Sequence, residues 1–477
     1  MTNQTKLRTY TIRPTDNISF PIGTILSVKG YSRKLGFDML LGKHKQKGIS
    51  LARLTEALIS YRLTENHSIT KASDWINRPE LLSEFSIKGF EQRTFFRVLE
   101  ILGQNREEIL FGIRNVLFEI FSFDHTNTNF DWTSIVLHGE KAPLGAYGYS
   151  RDHRPDKKQI TMGIAELANP INIPFGLTIK AGNVNDQKHF PDTFSQVKNH
   201  LKEGSMIITD KGANCKENLD LIIASKMKYL TSKKLNRSDD KRIKSFDISK
   251  AELVDRDKGV YGVKYTFPSR NDYFYFSESL KEKQLEAKSR KAERQLLEAK
   301  EIQKSIENSR KLPKKFQIKN ALVDVKYSYQ TKLSKMSEKD ALELLKMTSI
   351  NGREGFFCIT SSENLTLKEA LEIYRQKDSI EKIFHSLKNE IVIKPLRVWS
   401  DDSIYGALII GFLAQFIISL MKYENEELRH VAPKFIKTSL MNLTVTVEFL
   451  KDMTKRLIYS NFDPINRLIL RQNYGIT

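Results

Sequence analysis

The chain has 477 residues, a length that suits about three domains at roughly 150 residues each. Hydrophobic residues at 40% and charged residues at 28% are ordinary for folded protein and exclude wholesale disorder. Lys and Arg outnumber Asp and Glu 77 to 57, a formal charge of +20, which makes an acidic polymer the expected partner. Two cysteines, Cys215 and Cys358, exclude a disulfide framework or a four-cysteine zinc site and suit a reducing compartment. Residues 1–14 contain no apolar run of signal-peptide length, so a cytoplasmic, nucleoid-associated protein is expected.

Residues 1–45 are basic and turn-rich, without a clear period. From Leu51 to Ile120 apolar residues recur at three and four, which predicts a helical N-terminal module. Within it, Ser68-Ile69-Thr70-Lys71-Ala72 either opens the second helix of a helix-turn-helix or caps an ordinary bundle helix. The apolar run Phe118–Phe123 ends in Asp124 and reads as a buried strand with an acid at its C-terminal end. Further strands are predicted over 159–167 and 173–180, with Pro174-Phe175-Gly176 as a turn signal, and over 205–210, ending in Asp210. Helices are predicted over 189–202 and 219–225, and a strand over 228–231. Alternating strands and helices argue for an α/β layer.

Residues 236–350 break the rhythm, with a β-rich stretch over 254–276 and a charged helix over 281–315 whose heptad seam is weak. A strand at 355–360 and a long helix over 366–388 follow. The run from Ile404 to Met421 carries no formal charge over eighteen residues, the minimum for a membrane span. Its Tyr405, Gln415, Ser419 and two glycines instead favour a buried core helix, and no membrane partner is expected. Residues 422–477 read as a helical cap.

The chain lacks a P-loop, a G-x-G-x-x-G, an H-E-x-x-H and a G-x-S-x-G, so nucleotide hydrolysis, nicotinamide chemistry, zinc proteolysis and serine hydrolysis lack their residues. What remains is Asp124 and Asp210 at strand ends and Glu381 on a late helix. Three carboxylates sharing a mouth repel one another. Divalent cations with oxygen ligands relieve that repulsion, and a pair of them serves phosphodiester displacement. An isolated acid at a strand end is otherwise a common turn or cap. Tyr374, Lys377, Glu381 and Lys388 are spaced three, four and seven apart, which on one continuous helix places them on one face. That face is either a metal-binding carboxylate flanked by phosphate-binding lysines or an ion-pair stripe.

Tyr374-x2-Lys377-x3-Glu381-x6-Lys388 resembles the Y-x2-R-x3-E-x6-K signature of DDE transposases of bacterial and archaeal insertion sequences, with Lys377 in place of the family's Arg. Ile207–Asn214, followed by Glu217-Asn218-Leu219, is similar to the second-Asp block. Gly148–Asp156 resembles the segment before it, and Gly182-Asn183-Val184-Asn185-Asp186 resembles the G-N-x-x-D turn.

The resemblance implies an α/β, RNase H-like catalytic core, a mixed sheet with flanking helices, interrupted by a β-rich and helical insertion. The expected organisation is an N-terminal helical, end-binding domain (1–115), the first part of the core (116–235), the insertion (236–350), the second part of the core (351–425) and a C-terminal helical segment for dimerisation (426–477). It also implies a metal-binding catalytic triad of Asp124, Asp210 and Glu381. Asp131 stands close by, but Asp124 is the acid that closes an apolar run. DNA contacts are expected from Tyr374, Lys377, Lys388, Arg151, Arg154 and Lys211. Asp152, His153, Arg154 and Asp186 either reach the site or brace its loops. Some relatives hold a flipped base with a Trp in the insertion, whereas Trp75, Trp132 and Trp399 all lie outside it.

The implied activity is binding of an element's terminal inverted repeats, two-metal cleavage with Mg²⁺ (or Mn²⁺ in its place), and joining of the 3′ ends to target DNA. The partners are then double-stranded element and target DNA and a second copy of the chain in a synaptic homodimer. The alternatives are a decayed or domesticated DNA-binding protein and an RNase H-like nuclease that does not join strands.

Overall fold

The computed structural model describes residues 17–64, 68–121, 126–139, 141–168, 172–307, 337–394, 396–449 and 455–474. The chain forms two compact units, Met1–Tyr229 with Arg375–Thr477, and Leu230–Tyr374.

In the first unit, β1 (Asn17–Pro21) leads into α1 (Gly23–Lys34) and α2 (Phe37–Gly42), where the sequence shows no period. The reason is burial on nearly every side of α1, where Thr24, Ser27 and Ser32 are as enclosed as Ile25 and Val28. A Cβ at Gly23 would stand 2.2 Å from the Leu440 carbonyl oxygen, so this helix needs a residue without one. Then come α3 (Leu51–Arg62), α4 (Ile69–Ile76), α5 (Pro79–Phe85), α6 (Arg93–Gln104) and α7 (Arg106–Ile120).

α7 overturns the strand expected at 118–123. Ile109, Ile113 and Leu117 are buried at four-residue spacing, and the helix runs through Ile120, so tertiary packing of that stripe overrides local β propensity. The strand at this place in the chain is β2 (Asn127–Val136). Asp124 lies outside the described residues.

β3 (Gln159–Leu167), β4 (Ile173–Ala181), α8 (Asp186–Val197), β5 (Met206–Thr209) and α9 (Lys216–Ala224) follow. Four strands order as β4-β3-β2-β5, with β4-β3 and β3-β2 antiparallel and β2-β5 parallel. Pro174-Phe175-Gly176 is not a turn. It lies inside β4, where a register shift between Ala165 and Glu166 brings Pro174 opposite Glu166, and a bulge is where a sheet tolerates Pro.

β6 (Lys228–Lys233) carries the chain into the second unit. There α10 (Asp239–Lys244), β7 (Glu252–Asp255), β8 (Val260–Phe267), β9 (Arg270–Ser277), α11 (Glu278–Glu307), α12 (Glu338–Ser349), β10 (Phe356–Ser361) and α13 (Leu367–Arg375) form an antiparallel sheet, order β6-β10-β9-β8-β7, with helices. Fully buried Asp272 anchors it, accepting from Arg242 at 3.1 Å and pairing with Lys233 at 3.5 Å.

Back in the first unit lie α14 (Asp378–His385), α15 (Asp401–Glu424), α16 (Pro433–Asn442), β11 (Thr444–Phe449), β12 (Lys455–Ser460) and α17 (Pro464–Tyr474). α15 is long and apolar enough to span a membrane, yet its apolar window is 94% buried inside the protein. It crosses α6 at backbone contact, because Gly406 faces the Leu99 carbonyl and Gly103 the Asp402 carbonyl. The C-terminal segment is not all helix. The alternation Thr444-Val445-Thr446-Val447 makes β11 a strand, and β11 pairs antiparallel with β1 and β12.

Candidate active site

Alternation along β2 decides which way its acid faces. Phe130 and Trp132 are buried against α8: Phe130 packs on Phe190 at 5.5 Å, and the Trp132 indole N–H donates to Thr193 Oγ1 at 3.2 Å. Opposite Trp132 on β3 is Gly163, where a Cβ would meet the indole nitrogen at 2.5 Å. Asn129 and Asp131 therefore point to the other face, where α14 lies. Asn129 pairs with Ile208 in the parallel β2–β5 ladder. Two residues further along each strand stand Asp131 and Asp210, acids on neighbouring strands at the same level. The fully buried Met206–Thr209 run delivers Asp210 to the end of β5, where its carboxylate accepts the Lys211 N–H.

A third carboxylate joins them. Asp186 opens α8, behind the Asn185 cap that accepts from the Lys188 N–H at 3.1 Å. Its pKa is raised from the ordinary aspartate value by burial, with Arg151 opposing and the charges of Asp131 and Asp210 adding to the rise. Arg151 holds it at 2.9 Å. Motif glycines make this packing possible. A Cβ at Gly148 would stand 2.0 Å from the Gly182 carbonyl oxygen, and one at Gly212 would stand 2.5 Å from Asp186 Oδ2. A cleft of about 350 Å³ opens beside Asp186 and Arg151, edged by Tyr149 at 84% exposure.

The helix expected over 366–388 is interrupted. α13 ends at Arg375, Gln376 and Lys377 form a turn, α14 resumes at Asp378, and Ser386–Glu390 is a π-helical turn. The single face proposed for Tyr374, Lys377, Glu381 and Lys388 therefore does not exist as one helical stripe. Only the Lys377-to-Glu381 step keeps helical geometry, and it sets Glu381 about 6 Å further along the same side. Lys377 places its Nζ 3.4 Å from Asp131 Oδ2. Glu381 is exposed, while Ile380, Ile383 and Phe384 bury the opposite side of α14. Lys388, in the π turn, donates to Asp152 Oδ1 at 3.1 Å, as does Lys394 at the same distance. Burial lowers the Lys388 pKa, and Asp152 opposes that shift. Arg154 is exposed and pairs with Asp156 at 2.9 Å, its N–H held by Ser150 Oγ. Lys211 is exposed, and Tyr374 is half-buried at the end of α13.

Sequence reasoning missed the polar clamp beneath α14. Ser379 Oγ donates to Glu166 Oε2 at 2.8 Å, and Asn129 Nδ2 donates to the same oxygen at 3.0 Å. Glu166 is fully buried, and burial raises its pKa to about 8 against the hydrogen bonds of Asn129 and Ser379. An acid inside the apolar run of β3 is the signal that could have found it.

Among the described residues, no three His, Cys, Asp or Glu side chains are gathered as a ready cation site. Asp131, Asp186 and Asp210 are near enough for the first and last to act electrostatically on Asp186, and carboxylate oxygens are the donors that a hard divalent cation takes. Lys377 and Arg151 supply positive charge beside Asp131 and Asp186.

No curated protein matches the chain. Among solved structures, the cryo-EM structure of a piggyBac transposase synaptic complex with hairpin DNA is similar with a TM-score of 0.44 at 9% identity, covering 90% of this chain and 81% of that one. The family described as transposase DDE domain matches residues 123–417, a span that contains Asp131, Asp186, Asp210 and Glu381. With more than half of its length so matched, the chain belongs to the DDE transposases.

Proposed function

We propose that this transposase binds the terminal inverted repeats of an insertion sequence, cuts there and joins the freed 3′-hydroxyls to target DNA. In this reading residues 127–229 and 375–421 hold an RNase H-like core, and Asp131, rather than Asp124, is the first acid of the triad with Asp210 and Glu381. The observation that carries it is the parallel β2–β5 ladder, which sets Asp131 level with Asp210 while Lys377 ties Asp131 to the turn that begins the Glu381 helix.

Divalent cations held by these carboxylates, Mg²⁺ or Mn²⁺, would activate an attacking oxygen and stabilise a leaving one. The chain's own groups orient the reaction. Asp131 and Asp210 offer oxygens from rigid strands, Lys377 and Arg151 balance the acidic cluster, and the Lys388–Asp152–Lys394 group fixes the loop that carries Arg151. Lys211, Arg154 and Tyr374 would contact DNA beyond that ring, and a synaptic homodimer would bring two ends together. The test is incubation with Mg²⁺ and DNA carrying the repeats that flank the coding region. Cutting followed by joined products is expected. Cutting without joining would make the chain a nuclease, and binding without cutting would make it a decayed DNA-binding protein.

A further inference from the structure

Away from the carboxylates, the first unit holds a cavity of about 520 Å³, within the range of roughly 300–1,000 Å³ typical of small-ligand sites. Its walls are the end of α3, the first turn of α4, Phe96 of α6, Ala407 of α15 and, beyond the π turn, Val392, Lys394 and residues 396–398. Four cationic side chains line it, Arg62, Lys71, Lys394 and Arg397, and no acid is among its described lining residues. Such a wall selects an anion. The same cavity is lined by Phe96, which is 37% exposed, and by apolar Ile69 and Val398. Inorganic phosphate has no use for an aromatic ring and an apolar wall, whereas an unpaired nucleotide uses both: cations for its phosphate and a ring for its base.

The cavity is built rather than incidental. Arg62, 7% exposed, donates to the Val392 carbonyl at 3.2 Å, and burial lowers its pKa to about 10. Val392 adopts φ +53°, a left-handed conformation that costs a β-branched residue energy and persists only where the surroundings enforce it. Lys394 shares Asp152 Oδ1 with Lys388. One wall is thereby connected to the loop whose Arg151 grips Asp186.

We propose that this cavity receives a single unpaired nucleotide of a DNA strand, with the phosphate on Lys71, Lys394 and Arg397 and the base against Phe96. The source of that strand rests on the DNA-cutting reading above, but the cavity's chemistry does not. The full chain is titrated, without metal, against fluorescein-labelled oligo(dT) and a blunt random-sequence duplex. Phe96→Ala should weaken oligo(dT) binding roughly 5- to 150-fold, the effect of losing one base–ring stack, and leave duplex binding within about twofold. Lys71→Glu, at an exposed position, should also weaken oligo(dT) binding while keeping the wild-type melting temperature. Oligonucleotides carrying 5-iodouracil should crosslink to peptides containing Phe96 or residues 392–398.

Unchanged oligo(dT) affinity in both variants, equal losses on oligo(dT) and duplex for Phe96→Ala, or crosslinks mapping only elsewhere would each overturn the proposal. The two readings fail separately. If the wild type cleaves element ends and Phe96→Ala keeps its oligo(dT) affinity, the cavity proposal falls alone. If Phe96→Ala loses that affinity in a chain that never cleaves, the cutting activity falls alone.

Discussion

Lys377 sits 3.4 Å from Asp131 with side-chain exposures of 7% and 14%, so the turn residue that precedes the Glu381 helix and the acid of β2 form one largely buried ion pair. Removing one partner of a fully buried pair costs roughly 3–5 kcal/mol, mostly because the other charge is left uncompensated. Lys377→Ala should therefore lower the melting temperature in EDTA. Added Mg²⁺ should recover more of that loss than it adds to the wild type, because a cation on Asp131 replaces the missing charge. Thermal melts with and without Mg²⁺ decide this, and a variant that melts like the wild type in EDTA would reduce the pair to a surface contact.

The two candidates for the first acid separate cleanly. Asp131→Asn should reduce end cleavage by at least ~10²-fold, as expected for loss of a group that stabilises transition-state charge, while DNA binding persists through phosphate contacts. Asp124→Asn should cleave normally. Gel assays of cleavage and binding on the same preparations check both, and the opposite pattern would restore Asp124.

The Glu166 clamp predicts a pH dependence. Its folded-state pKa of about 8 lies above the ordinary glutamate value, so the folded chain holds a proton that the unfolded chain releases. Its contribution to stability is complete below the unfolded pKa and is lost as pH rises through about 8. Glu166→Gln keeps the neutral hydrogen-bonding shape without the titration. The variant should thus show a flatter decline in melting temperature between about pH 5 and pH 8 than the wild type. Parallel slopes over that range would show that Glu166 does not carry the effect.

Helix crossing gives a prediction independent of chemistry. At Gly406 a Cβ would stand 1.9 Å from the Leu99 carbonyl oxygen, a backbone atom that cannot swing aside. Gly406→Ala should destabilise by about 1–3 kcal/mol or more, in the manner of an overpacked core. Chemical denaturation measures it, and wild-type stability would mean that α6 and α15 are not in backbone contact.

Much was legible in the sequence because local pattern and burial agreed. The strand expected at 159–167 is β3 to the residue, Met206–Thr209 leads to Asp210, and the uncharged stretch 404–421 lies inside a buried helix. The spaced blocks around Gly148, Gly182, Asp210 and Glu381 pointed to the family, since those glycines and acids are dictated by close backbone approach and by charge. Tertiary structure alone showed that Asp131 stands level with Asp210, because that depends on how β2 and β5 pair. Asp124 follows the more apolar run, but Phe118–Ile120 is the last turn of α7 rather than a strand, with Glu119 and Ile120 exposed. It is the packing of Trp132 over Gly163 that rotates Asp131 to the opposite face, level with Asp210. It also decided that the Glu381 helix breaks at Gln376-Lys377, because spacing records a helical period but not the turn through which Lys377 reaches Asp131. Periodicity along a chain is a local property, whereas the partner of a charge is set by strands and helices far apart in sequence.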